Sequence, residues 1–243
     1  MELQPFLHRL IARLERRAPL DDADRAALLA LPFEQRRVEP GRYLVREGSS
    51  TDVSKLIVTG LACRHKTTAD GDRQIVSLHV PGDFVDLEGS LLNVADHSVQ
   101  ALTRMEIAAV PVQALIALID NHPRVGRAMW IETLVDASIY REWVMNVGRR
   151  PARQRIGHVL CEFACRLELA GLGTTTGYQL PMTQEQLADA VGLTAVHVNR
   201  TLKALESDGL IRRHKRFIEI PDWERLRAVS GFNELYLHLD QAA

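Results

Sequence analysis

The amino-acid sequence predicts an α+β protein with an N-terminal antiparallel β jelly roll, a long helix and a C-terminal unit of short helices with a β-hairpin. Short β-type runs punctuated by glycines fill residues 33–110, which favours a sandwich or jelly roll over β-α-β units. A helical pattern of apolar residues follows over 123–147. Two short amphipathic helices and an alternating basic segment then occupy 182–220. We therefore expect two folded parts joined by one helix.

The chain has 243 residues, of which 46% are hydrophobic and 25% charged, the balance of a folded protein rather than a disordered one. The formal net charge is −1, but the charge is unevenly distributed. Residues 149–216 contain eleven basic and six acidic side chains, so this segment is basic and the remainder is acidic. A basic segment joined to an acidic one favours a sensor attached to a part that binds nucleic acid.

Several classes of protein are disfavoured by the sequence. No apolar run is long enough to span a bilayer, and the N-terminal segment is charged and amphipathic, so we expect no membrane partner and a cytoplasmic location. The three cysteines, Cys63, Cys161 and Cys165, are too few for a disulfide framework or an iron–sulfur cluster with four cysteine ligands. We expect them to be buried and structural, and we predict no metal and no cofactor.

The first predicted domain covers residues 1–120. Residues 1–31 have a helical pattern that Pro19 interrupts, and β-type runs such as SKLIVTG and RQIVSLHV follow.

The long helix is predicted to occupy residues 121–148 as a part of its own. Apolar residues cover much of its circumference, which favours one face that packs on the jelly roll and another that meets a second helix. We therefore expect a homodimer, and the alternative is a helix buried entirely in its own domain. The residues predicted to form the dimer seam are Ile131, Leu134, Val135 and Ile139.

The last predicted domain, residues 149–243, contains the most informative stretch of the chain. Thr183 is placed to cap a helix with Gln186 as its capping-box partner, Gly192 supplies a turn, and Thr194 is placed to cap a second helix. The segment IRRHKRFIEI alternates like a short hairpin. Two helices at a steep angle with a basic hairpin are typical of a unit that inserts its second helix into a DNA major groove. The alternative is a helical hairpin in any globular core.

In the second of these helices, helical spacing turns Val198, Leu202 and Leu205 inward. The outward side chains are then those of His197, Asn199, Arg200 and Lys203. The segment GLGTTTGYQL is predicted to be a polar loop, and 222–243 to hold another helical segment.

The order of these parts resembles the Crp/Fnr family of bacterial transcription regulators. The resemblance rests on PGRYLVREG, VPGDFVDLEGSLL and LTAVHVNRTLKALESDGLI, and it covers nearly the whole chain. It implies a cyclic-nucleotide-binding-type jelly roll, a dimerisation helix and a winged helix-turn-helix. The expected function is that of a dimeric, sequence-specific regulator bound to a palindromic double-stranded DNA operator, with RNA polymerase as a further partner.

The resemblance also implies where DNA is contacted. Where the family's recognition helix often has Glu followed by Arg four residues later, this chain has Val196 and retains Arg200, so Arg200 is the expected bidentate contact to guanine. The alternative for Arg200 is an ion pair with Glu206 or Asp208. Wing and helix cations are expected to hold phosphates. The full set of predicted DNA contacts is Thr183, Gln184, Thr194, Val196, His197, Asn199, Arg200, Lys203, Arg213, Lys215 and Arg216.

The family's effector pocket is altered in this chain. Members that bind cyclic AMP have a Glu and an Arg-Ser/Thr pair in this segment, but the corresponding residues here are Leu87 and His97-Ser98. If the segment is a strand, Asp86 and Glu88 point away from the side of Leu87. We expect no usual binding of cyclic AMP, no haem on Glu88 or His79, and an unknown or absent small-molecule effector. The candidate pocket residues are Gly82, Asp83, Phe84, Asp86, Leu87, Glu88, Gly89, His97 and Ser98.

Two other classes of function are compared with this expectation. One is a module that responds to cyclic AMP or cyclic GMP and regulates a partner protein or a promoter. The other is an enzyme, but no nucleophile, metal cluster or phosphate loop is recognisable, and Asp96, His97 and Ser98 are adjacent along one segment, where triads rarely form. We therefore predict that the chain is not an enzyme.

Overall fold

The computed structural model describes residues 3–239, with side chains from Phe6 onward. Within these limits the chain forms two compact units: the first contains residues 3–66, 78–138 and 237–239, and the second contains 67–77 and 139–236. The predicted α+β class is confirmed. The predicted division at residues 120 and 148 stays a prediction.

The first unit contains two antiparallel sheets with the strand orders β1-β7-β3 and β2-β6-β4-β5, and the tip of the β4–β5 hairpin belongs to the second unit. The strands are β1 (Glu34–Val38), β2 (Tyr43–Val45), β3 (Val53–Thr59), β4 (Ala62–Thr67), β5 (Arg73–His79), β6 (Ser98–Ala101) and β7 (Met105–Pro111). The helices packed with them are α1 (Leu3–Glu15), α2 (Asp22–Leu29) and α3 (Val112–Asn121), so the predicted break at Pro19 between two helices is confirmed.

Strand β3 is buried on both faces. Leu56 and Val58 pack in a cluster with the helices, whereas Ile57 packs with Val99 and Met105 in the core shared by the two sheets. Successive side chains of a strand point to opposite faces, so a strand covered on both sides needs a continuous apolar run. This requirement explains the sequence SKLIVTG.

A helix of 27 residues, α4 (Pro123–Arg149), confirms the predicted long helix and continues from the first unit into the second. The other helices of the second unit are α5 (Ala152–Leu169), α6 (Gln184–Val191), α7 (Ala195–Ser207) and α8 (Trp223–Ser230). Its sheet has the strand order β10-β11-β9-β8. The strands are β8 (Gly173–Thr174), β9 (Gly177–Gln179), β10 (Arg212–His214) and β11 (Phe217–Glu219).

The prediction of a polar loop over GLGTTTGYQL was wrong, because β8 and β9 form a small hairpin there. Tyr178 anchors it: the ring is 1% exposed, stacks edge-on against Phe163, and its hydroxyl donates to the Leu160 carbonyl at 2.8 Å. The predicted helical segment after residue 222 is confirmed by α8 and a 3-10 turn, Glu234–Leu237, while residues 240–243 lie outside the described part.

A buried hydrogen-bonded cluster connects α4, α5 and the 3-10 turn within the second unit. Trp143 donates to both carboxylate oxygens of Glu162 at 3.0 Å, and the Tyr236 hydroxyl donates to Glu162 Oε2 at 2.7 Å. His158 Nε2 lies 3.0 Å from the same hydroxyl. Burial raises the pKa of Glu162 and lowers that of His158 to about 3. The cluster therefore holds its polar groups by hydrogen bonds in a setting that disfavours charge.

The cysteines Cys63, Cys161 and Cys165 are free and buried, as expected. Burial raises the pKa of both α5 thiols, that of Cys165 to about 12, so neither is present as a reactive thiolate at neutral pH. Among residues 3–239, no helix is long and apolar enough to cross a membrane.

Candidate nucleic-acid interface and sensor pocket

The helix-turn-helix begins with the capping box predicted from the sequence. Thr183 Oγ1 accepts the Gln186 amide at 3.1 Å, and Gln186 Oε1 accepts the Thr183 amide at 2.9 Å. Such a cap stabilises a short helix by about 1 kcal/mol. Helix α6 ends at Gly192 with φ of 62°, and a Cβ there would lie 3.1 Å from Val147 Cγ1. The turn therefore needs glycine both for its backbone angle and for the close approach of α4.

Helix α7 has the inward and outward faces that the sequence predicts. Thr194 caps it by accepting the His197 amide at 3.2 Å, while Val198, Leu202 and Leu205 are buried. Val196 is 81% exposed, and Arg200 and Lys203 are exposed as well. The half-buried residues His197 and Asn199 lie beside them. The outer face of α7 therefore presents one apolar side chain, Val196, followed by the cations Arg200 and Lys203.

Arg200 has no ion-pair partner within the described part of the chain. The two acids considered as alternatives are engaged elsewhere. Glu206 pairs with Arg213 at 2.5 Å and also accepts the Arg213 amide at 3.1 Å, while Asp208 pairs with Arg153. The hydrogen bond from Arg213 lowers the pKa of Glu206, which keeps it ionised. The alternative in which Glu206 or Asp208 neutralises Arg200 is therefore not what the structure shows.

The predicted basic hairpin is formed by β10 and β11, which a two-residue loop of Lys215 and Arg216 connects. Both side chains are exposed, and residues 3–239 provide neither with an ion pair. Lys215 has φ of 59°, the left-handed region that residues other than glycine rarely adopt. Arg213 differs from these two cations, because its bond to Glu206 ties the hairpin to α7.

In the sensor segment after β5, the first two acids, Asp83 and Asp86, have hydrogen-bond partners within the chain. Gly82 has φ of 97° and donates its amide to Ile57, and the Asp83 carboxylate accepts Arg13 Nη1 at 2.8 Å. Asp86 is buried: its Oδ1 accepts the Lys55 amide at 2.8 Å and its Oδ2 lies 2.7 Å from Lys55 Nζ. Both carboxylates therefore have partners within the chain, and Asp86 also lies in the lining of the cavity described below.

The expectation for a strand around Leu87 needs correction. Residues Leu87–Ser90 form a 3-10 helix, so the alternating side-chain directions of a strand do not apply. Leu87 and Phe84 pack against the helix cluster of the first unit. Ser98 Oγ accepts the Glu47 amide at 3.0 Å, which leaves it in a structural role.

The remaining candidates surround a cavity of about 20 Å³, with Glu88, Gly89 and His97 in its lining. Glu88 Oε1 lies 2.8 Å from Arg64 Nη2 and 3.3 Å from His97 Nε2. Sequence reasoning missed Arg64, because nothing in the run LACRHKTT distinguishes a buried arginine from an exposed one.

Within residues 3–239 there is no group of three or more histidines, cysteines and acids that could hold a metal ion.

The predicted dimer seam needs correction for two of its four residues. Val135 and Ile139 are 7% and 4% exposed in the single chain, so the chain's own core already covers them. Leu134 is exposed and Ile131 is half-buried. The exposed apolar side chains of α4 are Trp130, Leu134, Val144 and Met145. A helix pattern reveals apolar faces, but it does not show which face the rest of the chain covers.

A β jelly roll followed by a long helix and a winged helix-turn-helix, with unpaired cations on the second helix, defines a class of DNA-binding regulators. The comparisons with known proteins agree. Residues 35–122 match the family model of the cyclic nucleotide-binding domain, and residues 154–229 match that of the Crp-like helix-turn-helix domain.

Two relatives and one solved structure are similar over most of the chain. The transcriptional activator protein FnrL of Cereibacter sphaeroides is 30% identical over 231 residues, which are 93% of this chain and 90% of that protein. The transcriptional activatory protein AadR of Rhodopseudomonas palustris is 28% identical over 82% of this chain and 80% of its own. FixK2 from Bradyrhizobium japonicum shares the fold, with a TM-score of 0.75, 24% identity, and coverage of 82% and 98%. The chain belongs to the Crp/Fnr family of transcription regulators, which are DNA-binding proteins and not enzymes.

Proposed function

We propose that the chain is a homodimer that binds a palindromic double-stranded DNA operator, with α7 in the major groove and Arg200 reading a guanine. The single observation that carries this proposal is the state of Arg200. It is exposed on the outer face of a capped helix and has no ion pair among the described residues. A guanidinium in this position is available for bidentate hydrogen bonds to guanine O6 and N7.

The other contacts divide into base and phosphate contacts. Val196, near the N-terminus of α7, suits the methyl group of thymine, and His197 and Asn199 lie close to it. Lys203, Lys215 and Arg216 suit phosphates, which orient a protein on DNA without specifying sequence. Thr183, Gln184 and Thr194, at the starts of the two helices, are proposed to contact phosphates too. Arg213 is proposed mainly to connect the wing to α7, because its guanidinium forms an ion pair with Glu206. Contact with DNA is proposed as its secondary role.

The homodimer is proposed to form along one side of α4, which we call the seam: the exposed residues Trp130, Leu134 and Val144 with the half-buried Ala137. Their spacings of four, three and seven residues follow the heptad of a two-helix coiled coil. Trp130, Leu134 and Val144 are 67%, 52% and 74% exposed, a large apolar surface for a single helix. Two-fold symmetry then presents two α7 helices about 34 Å apart, one turn of DNA.

The sensor domain is proposed not to bind cyclic AMP in the usual way. Leu87 is half-buried against the apolar helix cluster, Asp86 is paired with Lys55, and Glu88 faces Arg64 and His97. The cavity lined by Asp86, Glu88 and His97 is about 20 Å³, enough for about one water molecule. Because two relatives are named as activators, RNA polymerase is proposed as a protein partner.

The experiment that tests the DNA proposal is selection of bound fragments from random duplex DNA, followed by affinity measurements on the enriched and a scrambled site over a salt series. We expect an inverted repeat with half-sites about 10 base pairs apart. Sedimentation checks the dimer, and Leu134→Asp should give a monomer. Leu172→Asp, which changes an exposed leucine outside the seam, should stay dimeric. No enriched site, or a wild-type monomer with and without DNA, would contradict the proposal.

A second candidate function is a module that responds to cyclic AMP or cyclic GMP, and the match of residues 35–122 to the cyclic nucleotide-binding domain favours it. In that case a cyclic nucleotide at micromolar concentration should raise the melting temperature of the wild type. Titration calorimetry with both nucleotides separates the two candidates.

A further inference from the structure

Three polar side chains of the first unit, those of Arg64, Glu88 and His97, lie together in a way that suits a bound ligand. Arg64 lies on β4 with its side chain 8% exposed, and its Nη2 donates to the Val85 carbonyl at 2.7 Å. Arg64 Nη2 and His97 Nε2 both approach Glu88 Oε1, at 2.8 Å and 3.3 Å. The His97 ring is fixed on its other side, where Nδ1 lies 2.8 Å from Asp96 Oδ1. Within the described part of the chain, neither Glu88 Oε1 nor His97 Nε2 has a hydrogen-bond partner, so Arg64 and His97 face one carboxylate oxygen at ion-pair distance.

The chemistry of arginine makes an anion necessary at this place. A guanidinium keeps its proton under all ordinary conditions, so a buried Arg64 stays charged. A buried charge without a counter-charge is strongly destabilising. Glu88 Oε1 is buried 2.8 Å from Arg64 Nη2 and has no hydrogen-bond partner among residues 3–239, while about a third of the Glu88 side chain remains exposed, at 32%. The Glu88 side chain therefore extends from the protein surface toward Arg64, which is also the direction from which an external anion would approach.

We propose that Glu88 is an internal ligand: Arg64 and His97 form a carboxylate-binding site whose occupant is a side chain of the same chain. The inference rests on the proposed function in one respect, because it explains how the sensor pocket is filled without a cyclic nucleotide. An external anion has to displace Glu88 from the site. When Glu88 is shortened, the site is open to a small carboxylate such as acetate.

The test is chemical rescue of Glu88→Ala by acetate. The variant should melt at a lower temperature than the wild type in sodium chloride. Replacing sodium chloride by sodium acetate at about 100 mM should raise its melting temperature by roughly 2–4 °C, because acetate binds the folded state alone. If the variant is unfolded in chloride, the readout is the folded fraction recovered in acetate.

Three variants separate an occupied site from a general effect of charge or salt. Glu88→Gln has the same shape without the charge, so it should be destabilised and acetate should not rescue it. Glu47→Ala removes an exposed carboxylate that pairs with Lys66 in the same unit, and it should respond to acetate like the wild type. Glu88→Ala combined with Arg64→Met should lose the rescue.

Several outcomes would overturn the inference. They are a Glu88→Gln variant as stable as the wild type, an equal acetate effect on Glu47→Ala, and rescue that persists without Arg64. Stabilisation of the wild type by submillimolar cyclic AMP would overturn it too, since Glu88 would then yield readily. DNA affinity of the wild type is measured in parallel. If acetate does not rescue Glu88→Ala and the wild type binds DNA, only this inference is contradicted. If the wild type does not bind DNA, the proposed function is contradicted.

Discussion

Two regions of the molecule contain cationic side chains in different states. One is the DNA-facing surface proposed for α7 and the β10–β11 hairpin, the wing, and the other is the sensor pocket around Asp86 and Glu88. On α7 and the wing, Arg200, Lys203 and Lys215 are exposed and lack ion-pair partners among residues 3–239. In the pocket, Arg64 and Lys55 are each held against an acid of their own chain. A cation without an internal anion is available to an external polyanion, whereas one that has a buried partner is part of the fold. The presence or absence of an ion-pair partner within the chain, more than the residue type, therefore distinguishes a structural cation from a candidate for binding DNA.

The largest effect is expected where the pocket pairs are broken. Asp86→Asn leaves Lys55 as a buried cation without its counter-charge, since the two side chains are only 4% and 10% exposed. We expect a loss of about 3 kcal/mol in the free energy of unfolding, measured by urea denaturation. Glu34→Gln, which breaks an exposed pair with Arg36, should cost less than about 1 kcal/mol. Equal losses would erase the distinction between the two kinds of pair.

His158 sharpens the comparison, because it is a buried base kept neutral rather than paired. Burial, with a contribution from Arg150, lowers its pKa to about 3. As the pH falls below about 6.5 the unfolded chain takes up a proton that the folded chain does not, so stability is lost. This group should cost about 2 kcal/mol between pH 7 and pH 5. His158→Gln should flatten the measured dependence of unfolding free energy on pH, and His214→Gln on the wing is the control. An unchanged slope in His158→Gln would show that other groups cause the dependence.

Arg200→Ala tests the unpaired side of the comparison. Because this guanidinium is proposed to read a base, its loss should cost roughly 1–3 kcal/mol on the selected site and relax the preference at one base pair per half-site. Fluorescence anisotropy on selected and scrambled duplexes measures both. Arg225→Ala removes another exposed arginine of the second unit and should leave the preference unchanged. If Arg200→Ala weakens both duplexes equally, the residue holds a phosphate.

The smallest effect is expected at the wing. Lys215→Gly should relieve the left-handed backbone at φ of 59° and stabilise the fold by about 1 kcal/mol. It should also weaken selected and scrambled DNA alike and reduce the slope of log affinity against log salt by about 0.9. Lys215→Ala removes the same charge and keeps the strain, so only the DNA effect should remain. A change of base preference in either variant would contradict a phosphate contact.

Local features were predictable from the sequence, and long-range partners were not. The cap at Thr183, the turn at Gly192 and the inward face of α7 depend on residues within a few positions of each other. Arg64 and Glu88 lie 24 positions apart, and Tyr236 and Glu162 lie 74 apart, so no local pattern shows that they meet. Val135 and Ile139 were predicted to face a partner but are buried in the single chain for the same reason, because coverage by the rest of the chain decides which apolar face stays exposed.

The bond from Tyr236 to Glu162 has a consequence for the order of synthesis. Every residue of the helix-turn-helix and the wing precedes Tyr236 in the chain, yet the buried Glu162 carboxyl receives the Tyr236 hydroxyl only after translation has passed this residue. Chains that end or are cut between the wing and Tyr236 contain the complete helix-turn-helix and wing, but their buried Glu162 carboxyl keeps only the hydrogen bonds from Trp143. We expect such fragments to be less stable than the full chain, so that quality-control proteases remove them before they compete for DNA.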